Sequence, residues 1–355
     1  MNHGLPPITA TVLHFIHKYF IWVIVSSYIV AAFFPRIGLL IRSTELGNID
    51  IAHMKISVSL PPAMLAFLLF NAGLGIRATE LTGLKRKPYV LIAGAAGNLL
   101  VPLAFIVCVN IIMKLWHDPE EVQQILTGLA LVASMPIAGA STAWSQNANG
   151  NLTLSLGLIL LTTLSSPILT PIVLHAGGFI TAGHYSEDLH ELASSGTDLF
   201  LGVWVILPSL VGMLTHRVLG EKRSALISPY LKLANFIILA LLNYSNASLT
   251  LPGVISQPDL DFVAVMLIIV ILLCFVMFGA GYMLARVFRA GRAEMASLMF
   301  GLGMNNNGAG LVMASLEFSD HPGVMLPIIF YNLVQHFTAA LVDKILSRGV
   351  AGGSD

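Results

Sequence analysis

The sequence has little charge and almost no cysteine. Only 10% of its 355 residues are Asp, Glu, Lys or Arg, whereas soluble domains average about 25%. Lys and Arg together number 18, as do Asp and Glu, so no basic excess is available to bind a nucleic-acid backbone. The two cysteines, Cys108 and Cys274, lie in apolar runs and offer neither a disulfide framework nor a metal site. These absences exclude an ordinary soluble globule and predict a membrane protein without a nucleic-acid partner.

Catalytic motifs are absent as well. The sequence contains no His-Glu-x-x-His pair, no Walker phosphate loop and no nucleophile elbow. No acidic side chain is expected near the centre of an apolar stretch, since Glu317 and Asp343 lie near the ends of theirs. An intramembrane protease and a carboxylate proton relay are therefore disfavoured. We expect no enzyme activity and no organic cofactor.

Long apolar runs dominate what is present. Hydrophobic residues make up 56% of the chain, and a helix crosses a bilayer in about 20 mostly apolar residues. Ten such stretches cover residues 15–35, 57–77, 88–115, 122–147, 151–175, 197–217, 225–246, 262–288, 294–317 and 323–346. We predict an all-α membrane protein in which residues 1–355 form one unit of ten transmembrane helices.

The basic residues predict an orientation, because Lys and Arg near span ends favour the cytoplasmic side. With a cytoplasmic N-terminus, the inner segments hold Lys18, Arg77, Lys85, Arg86, Lys87, Arg217, Lys222, Arg223, Arg286, Arg289, Arg292, Lys344 and Arg348. The outer segments hold only Arg36, Arg42, Lys55 and Lys114. We therefore expect a multi-pass protein of the cell (inner) membrane with both termini in the cytoplasm.

Two of the ten stretches contain residues that interrupt helices. If ten spans divide into two halves of five, the second half inserts upside down, which predicts inverted repeats over 1–176 and 195–346. The fourth span of each half is interrupted, by Pro136 and small residues over 135–142 and by glycines and asparagines over 301–310. Glycines also serve close helix packing, but freed backbone groups are tolerated in a bilayer where they line a cavity. The paired interruptions favour two broken, crossing helices that form a transporter's binding centre.

Other polar residues within the spans are candidates for the same centre, because polar groups at membrane depth usually face the helix bundle. They are Asn98, Ser155, Asn332, Gln335 and His336. His336 has two interpretations. It is either a proton site, since imidazole titrates near physiological pH, or a neutral side chain bonded to a neighbouring helix.

The motifs around the two interruptions resemble those of the bile acid:sodium symporter family. The first repeat offers Pro136, Ala140-Ser141, Gly150-Asn151 and the run from Ser166-Pro167 to Thr170-Pro171 at the family's spacing. The second repeat has Gly-Met-Asn-Asn-Asn-Gly at 303–308, which is similar to the family's Gly-Met-Gln-Asn-Ser-Gly. The resemblance extends over all ten spans. It implies a core of spans 3–5 and 8–10 beside a panel of spans 1, 2, 6 and 7.

The resemblance also implies binding residues. Sodium would be held by Ser141, Thr142, Ser155, Asn305 and the carbonyl groups of Leu302 and Met304. A family glutamine of the third span corresponds either to Gly97 or, one residue off, to Asn98, which would be a further sodium ligand. The substrate, a small organic anion, would face Asn306, Asn307, Asn332, Gln335 and His336. No metal beyond sodium is implied. Thr142 stands where the family has asparagine, and Asn305 where it has glutamine, so both positions keep a side-chain oxygen.

One departure from the family pattern concerns the driving ion. Gly301 stands where the resemblance leads us to expect a sodium-binding glutamate, and Ile159 stands where a threonine is expected. A sodium site without its carboxylate loses much of its Coulomb attraction. We therefore expect a secondary transporter of a bile-acid-like steroid or a small carboxylate with altered sodium coupling. The alternatives are a sodium-independent or proton-coupled carrier and a membrane sensor that transports nothing.

Overall fold

The computed structural model describes residues 7–51, 54–76, 88–195 and 197–351. Its helices are α1 (Pro7–Phe33), α2 (Arg36–Ser43), α3 (Leu60–Leu74), α4 (Pro88–Met113), α5 (Pro119–Ser134), α6 (Ala140–Asn147), α7 (Leu152–Ile180), α8 (His184–Ser195), α9 (Thr197–Leu201), α10 (Leu207–Ala247), α11 (Leu251–Ser256), α12 (Leu260–Val287), α13 (Arg292–Gly303), α14 (Asn307–Glu317) and α15 (Met325–Ala351). A π-helical turn covers Gly202–Ile206 and a 3₁₀ turn covers Pro322–Val324. Arg77, Lys85, Arg86 and Lys87, on which the predicted orientation partly depends, lie outside the described residues.

Several helices are long and apolar enough to cross a bilayer. Within the described ranges these are the five segments Pro88–Met113, Leu152–Ile180, Thr197–Ala247, Leu260–Val287 and Pro322–Ser347. A sixth is added if Ile21–Phe33 and Arg36–Ser43, which meet at 96°, count as one bent span. The predicted fourth and ninth spans are each divided between two shorter helices, so length alone does not identify them.

The predicted sixth and seventh spans belong to one helical segment with a local break. Helix α10 runs for 41 residues, but Gly220 within it has φ 74° and ψ 168°. Glycine adopts this left-handed region without a steric penalty. The helical geometry is therefore interrupted inside the connection that was predicted between residues 217 and 225.

A β-hairpin between α2 and α3 was not predicted, so the all-α expectation needs a correction. Strand β1 (Glu45–Ile51) pairs antiparallel with β2 (Met54–Ser59), with Ile49 opposite Ile56. β-branched residues alternate along both strands, at 49 and 51 and at 56 and 58, which is the period of a strand. The prediction rested on apolar stretches of about 20 residues. The two strands are much shorter than that, so their alternating pattern was not recognised.

The chain divides into two compact units. One unit comprises residues 1–77 and 203–257, and the other comprises residues 78–202 and 258–355. The second unit contains α4 to α9 and α12 to α15. All residues of the predicted binding centre lie in this second unit.

Candidate functional site

Two helix interruptions form the centre of the second unit. Helix α5 ends at Ser134 and α6 begins at Ala140, while α13 ends at Gly303 and α14 begins at Asn307. Pro136 accounts for the first interruption, because it has no N–H and its ring clashes with the preceding helical turn. The interruptions are shorter than the predicted ranges of 135–142 and 301–310, since residues 140–142 and 301–303 remain helical.

The two interruptions bind each other through their backbones. Ile137 and Asn305 form an antiparallel β-bridge. The amide of Ala138 donates to the carbonyl oxygen of Met304 at 2.8 Å, and the amide of Asn306 donates to that of Pro136 at 2.8 Å. Each interruption thereby satisfies backbone groups that the other has exposed, as a buried backbone requires.

Two threonines of α7 satisfy further backbone groups of the first interruption. The amide of Ile137 donates to the hydroxyl oxygen of Thr162 at 3.2 Å, and the hydroxyl of Thr170 donates to the carbonyl of Ser134 at 2.6 Å. Thr170 belongs to the Ser-Pro-x-x-Thr-Pro run that carried the resemblance. Thr162 was not singled out, because a threonine within an apolar run gives no sequence signal of the backbone it will meet.

A network of side-chain amides surrounds the second interruption. The side-chain oxygen of Gln335 accepts from the backbone amide of Asn305 at 3.1 Å and from the side-chain amide of Asn307 at 3.0 Å. Gln335 in turn donates to the side-chain oxygen of Asn332 at 3.3 Å. The structure therefore brings together four predicted binding residues, at the end of α13, the start of α14 and in α15.

Three buried side-chain oxygens beside the bridge have no hydrogen-bond partner among the described residues: Ser141 Oγ, Asn305 Oδ1 and Asn307 Oδ1. Each of these residues is 1% exposed. A buried polar atom without a partner costs about 1–3 kcal/mol, so native proteins usually supply a partner such as water or an ion. Uncharged oxygens of this kind are the ligands that hard cations take.

The remaining predicted residues lie around this centre. Asn98 is buried in α4, and its Oδ1 also lacks a partner within the described segments. Its neighbour Gly97 faces Leu302, whose Cδ2 would lie 3.0 Å from an added Cβ. The hydroxyl of Thr142 donates to the Gly139 carbonyl at 2.8 Å, and Asn306 Oδ1 caps α14 by accepting from the amide of Ala309 at 3.3 Å.

The hydrogen bonds of the amide network described above involve neither Ser155 nor His336. Ser155 Oγ instead donates to Ser145 Oγ at 2.9 Å, and Ser145 Oγ lies 2.9 Å from Ser297 Oγ. His336 is buried in α15, one residue after Gln335. Ser145 and Ser297 were overlooked, because only the folded structure shows that two distant serines meet.

The polarity of the centre comes from helix ends and uncharged side chains. The carboxyl ends of α5 and α13 and the amino ends of α6 and α14 all lie next to the backbone bridge. A helix carries partial negative charge at its carboxyl end and partial positive charge at its amino end. The arrangement can therefore stabilise a small cation and an anion within the same centre.

A comparison with known protein families identifies the family of this chain. The model of the Sodium Bile acid symporter family matches residues 62–257. The chain belongs to this family. The resemblance drawn from the motifs is thereby confirmed, and with it a multi-pass membrane protein of a transporter family.

Relatives of the family are similar over most of the chain. Two are Bacillus subtilis (strain 168) proteins, named "Uncharacterized protein YbaS", 26% identical over 81% of this chain and 88% of the relative, and "Uncharacterized sodium-dependent transporter YocS", 25% identical over 81% and 84%. The rice protein "Probable sodium/metabolite cotransporter BASS2, chloroplastic" is 25% identical over 74% of this chain and 58% of its own length.

The position of the expected family glutamate is apolar in this member. A Cβ added at Gly301 would lie 3.1 Å from Leu158 Cδ1 and 3.8 Å from Ile137 Cδ1. Leu158 and Ile137 are themselves buried. The atoms that a side chain at position 301 would first meet are therefore aliphatic, and aliphatic groups do not solvate a charge.

Proposed function

We propose that this chain is a secondary transporter of an organic anion that works by alternating access, with ten spans in two inverted repeats. The observation that carries the proposal is the backbone bridge between Ile137 and Asn305, beside which lie buried oxygens that have no partner within the described part of the chain. Irregular backbone at membrane depth is typical of transporter binding sites. The names of two relatives, a sodium-dependent transporter and a sodium/metabolite cotransporter, support the same class.

In this proposal the carboxyl ends of two helices bind the cation, and the amino ends of two others bind the anion. Buried oxygens and the carbonyl groups at the ends of α5 and α13 bind the cation. Met304 already accepts one amide through its carbonyl, but a carbonyl oxygen has two lone pairs, so one remains for an ion. The amino ends of α6 and α14 favour the carboxylate of the substrate. The substrate class is a bile-acid-like steroid or a small carboxylate.

Sodium coupling is proposed to be weakened or lost. Two charges 4 Å apart interact by about 4 kcal/mol at an effective dielectric constant near 20, and this chain lacks the carboxylate that would supply that attraction at Gly301. We expect uptake of labelled taurocholate or pyruvate into proteoliposomes to change by less than about twofold when choline replaces sodium, because a site without its carboxylate binds sodium too weakly to drive uptake. A twofold change corresponds to about 0.4 kcal/mol.

The control for this measurement is a sodium-sensitive dye enclosed in the same vesicles, which shows that the sodium gradient is intact. An abrupt loss of uptake in choline would contradict the proposed change of coupling. Uptake of neither probe, with a functional control, would contradict an organic-anion carrier and favour a sensor that binds without transport.

A proton-linked carrier is the second candidate function. Its basis is the apolar surrounding of Gly301 together with His336, an ionisable side chain buried next to Gln335 in α15. An inward proton gradient would then stimulate uptake in sodium-free vesicles, and His336→Gln would abolish the stimulation. Uptake that is insensitive to the gradient would exclude this alternative.

Ser141→Ala tests whether the unpartnered oxygens bind a ligand. Ser141 Oγ has no hydrogen-bond partner among the residues that the structure describes, so its removal should leave the thermal stability of the ligand-free protein unchanged or higher. We expect the affinity for the transported ion or anion to fall about tenfold, which corresponds to about 1.4 kcal/mol. Binding titration and thermal unfolding of the purified protein measure the two effects.

Ser145→Ala is the matched control, because its hydroxyl bonds both Ser155 and Ser297. That variant should lose stability and keep its affinity. Two separate variants at Asn306 are compared: Asn306→Ala removes the helix cap, and Asn306→Asp retains it. Unchanged affinity in both Ser141→Ala and Asn306→Ala would contradict the placement of the binding centre.

A further inference from the structure

We propose that Glu120, His184 and His321 form a binding site for a divalent transition-metal ion, with Zn²⁺ as the ion that fits best. One ligand atom from each residue lies within 4.8 Å of the other two. The rings of His184 and His321 are stacked with their centroids 4.5 Å apart. Glu120 and His184 are exposed and His321 is half-buried, so an ion can reach all three. The proposal does not depend on the transport function.

The carboxylate of Glu120 is held in place by its surroundings. Helix α5 begins with Pro119, and the amide of Glu120 donates to the N-cap residue Asp118 at 2.8 Å. The hydroxyl of Tyr185, a residue only 1% exposed, donates to Glu120 Oε1. One carboxylate oxygen is therefore oriented by an outer hydrogen bond, as is usual for a metal-binding carboxylate.

The position of His184 is set by the turn between α7 and α8. Gly183 has φ 61°, which a residue with a side chain rarely adopts. The hydroxyl of Ser186 donates to the Gly178 carbonyl at 2.6 Å, and the amide of Ala182 donates to Gln123 Oε1 at 2.8 Å. These bonds join the start of α8 to the end of α7 and to the first turns of α5, where Glu120 lies.

His321 lies in a short segment that is anchored on both sides. Its amide donates to the carbonyl of Phe318 at 3.1 Å, and its own carbonyl accepts from the amide of Val324 at 3.1 Å. Phe318 and Val324 are completely buried. Three separate parts of the chain thus present one ligand each, on backbones that have little freedom to move.

The ligand set selects the ion. Two imidazoles and one carboxylate are the protein ligands of many open zinc sites, whereas Mg²⁺ and Ca²⁺ prefer oxygen ligands. Zn–N bonds of about 2.0–2.1 Å place tetrahedral ligands about 3.4 Å apart. Side-chain rotations that bring ligand atoms from within 4.8 Å to about 3.4 Å of one another, and that turn the two rings out of their stack, would therefore close the cluster around an ion. A bound ion would connect α5, α8 and the segment before α15 and would stabilise the folded chain.

The test uses the full-length protein in detergent, freed of any polyhistidine tag and treated with EDTA. We expect about one Zn²⁺ to bind per protein chain and to raise the unfolding temperature. A large excess of MgCl₂ should not change this binding. Each of His184→Ala, His321→Ala and Glu120→Gln should weaken zinc binding at least about tenfold, since the loss of even a residue that only supports a ligand costs about 10- to 100-fold. His184→Gln and His321→Gln preserve size and serve if an alanine variant does not fold.

Two other histidine variants are matched controls. His175 and His190 form a separate pair, with their Nδ1 atoms 2.8 Å apart, and His117 is an exposed histidine near Asp261. His190→Ala and His117→Ala should leave zinc affinity unchanged. The proposal is overturned if the wild-type protein binds no zinc, if His184→Ala and His321→Ala bind it normally, or if His190→Ala abolishes binding.

Discussion

Gln335→Met is expected to abolish transport and to lower the free energy of unfolding by roughly 2–6 kcal/mol, because two buried donors lose their acceptor at about 1–3 kcal/mol each. Those donors are the backbone amide of Asn305 and the side-chain amide of Asn307. Methionine is unbranched like glutamine, but its thioether sulfur is only a weak acceptor. Asn305 is part of the backbone bridge itself. Loss of the hydrogen bond from its amide to Gln335 should therefore loosen the contact between the two interruptions.

Uptake into proteoliposomes and thermal unfolding in detergent measure this effect. Gln257→Met is the matched control, since Gln257 is exposed outside the binding centre and the chemical change is identical. It should alter neither quantity. Wild-type uptake by Gln335→Met would show that the amide network is not required for transport.

Gly281→Ala is expected to have the second large effect, through the position of α13. A Cβ at Gly281 in α12 would lie 2.5 Å from the carbonyl oxygen of Leu298 and 2.6 Å from the Cα of Met299. Both atoms belong to the backbone of α13, so no side-chain rotation relieves the clash. Overpacking of this kind costs about 1–3 kcal/mol. Because α13 leads directly into the interruption after Gly303, its displacement should also reduce transport at least tenfold.

Gly279→Ala provides the control within the same helix. An added Cβ there meets no atom within 4 Å, and alanine is favoured over glycine in a helix by about 1 kcal/mol. This variant should unfold at the same or a higher temperature and transport normally. Equal behaviour of the two alanine variants would contradict close backbone contact between α12 and α13.

The sequence by itself determined the class of protein and the two regions, around Pro136 and before Asn307, where helices are interrupted. Low charge and long apolar runs imply a membrane protein wherever the residues later lie, because the cost of burying charge in lipid depends on composition. Pro136 ends a helix through its own ring and missing N–H, and the glycines and asparagines before 308 act through their own backbone preferences. Effects of this local kind can be predicted from a single chain, as can the family that shares them.

Only the tertiary structure decided which distant groups meet. No local preference pairs Ile137 with Asn305, directs Thr162 to a backbone amide, or joins Ser145 to Ser297, since these contacts depend on how helices pack. The aliphatic surrounding of Gly301 and the cluster of Glu120, His184 and His321 have the same origin. Their residues are far apart in the chain, and packing of buried surfaces, rather than any pattern along the sequence, brings them within a few ångströms of one another.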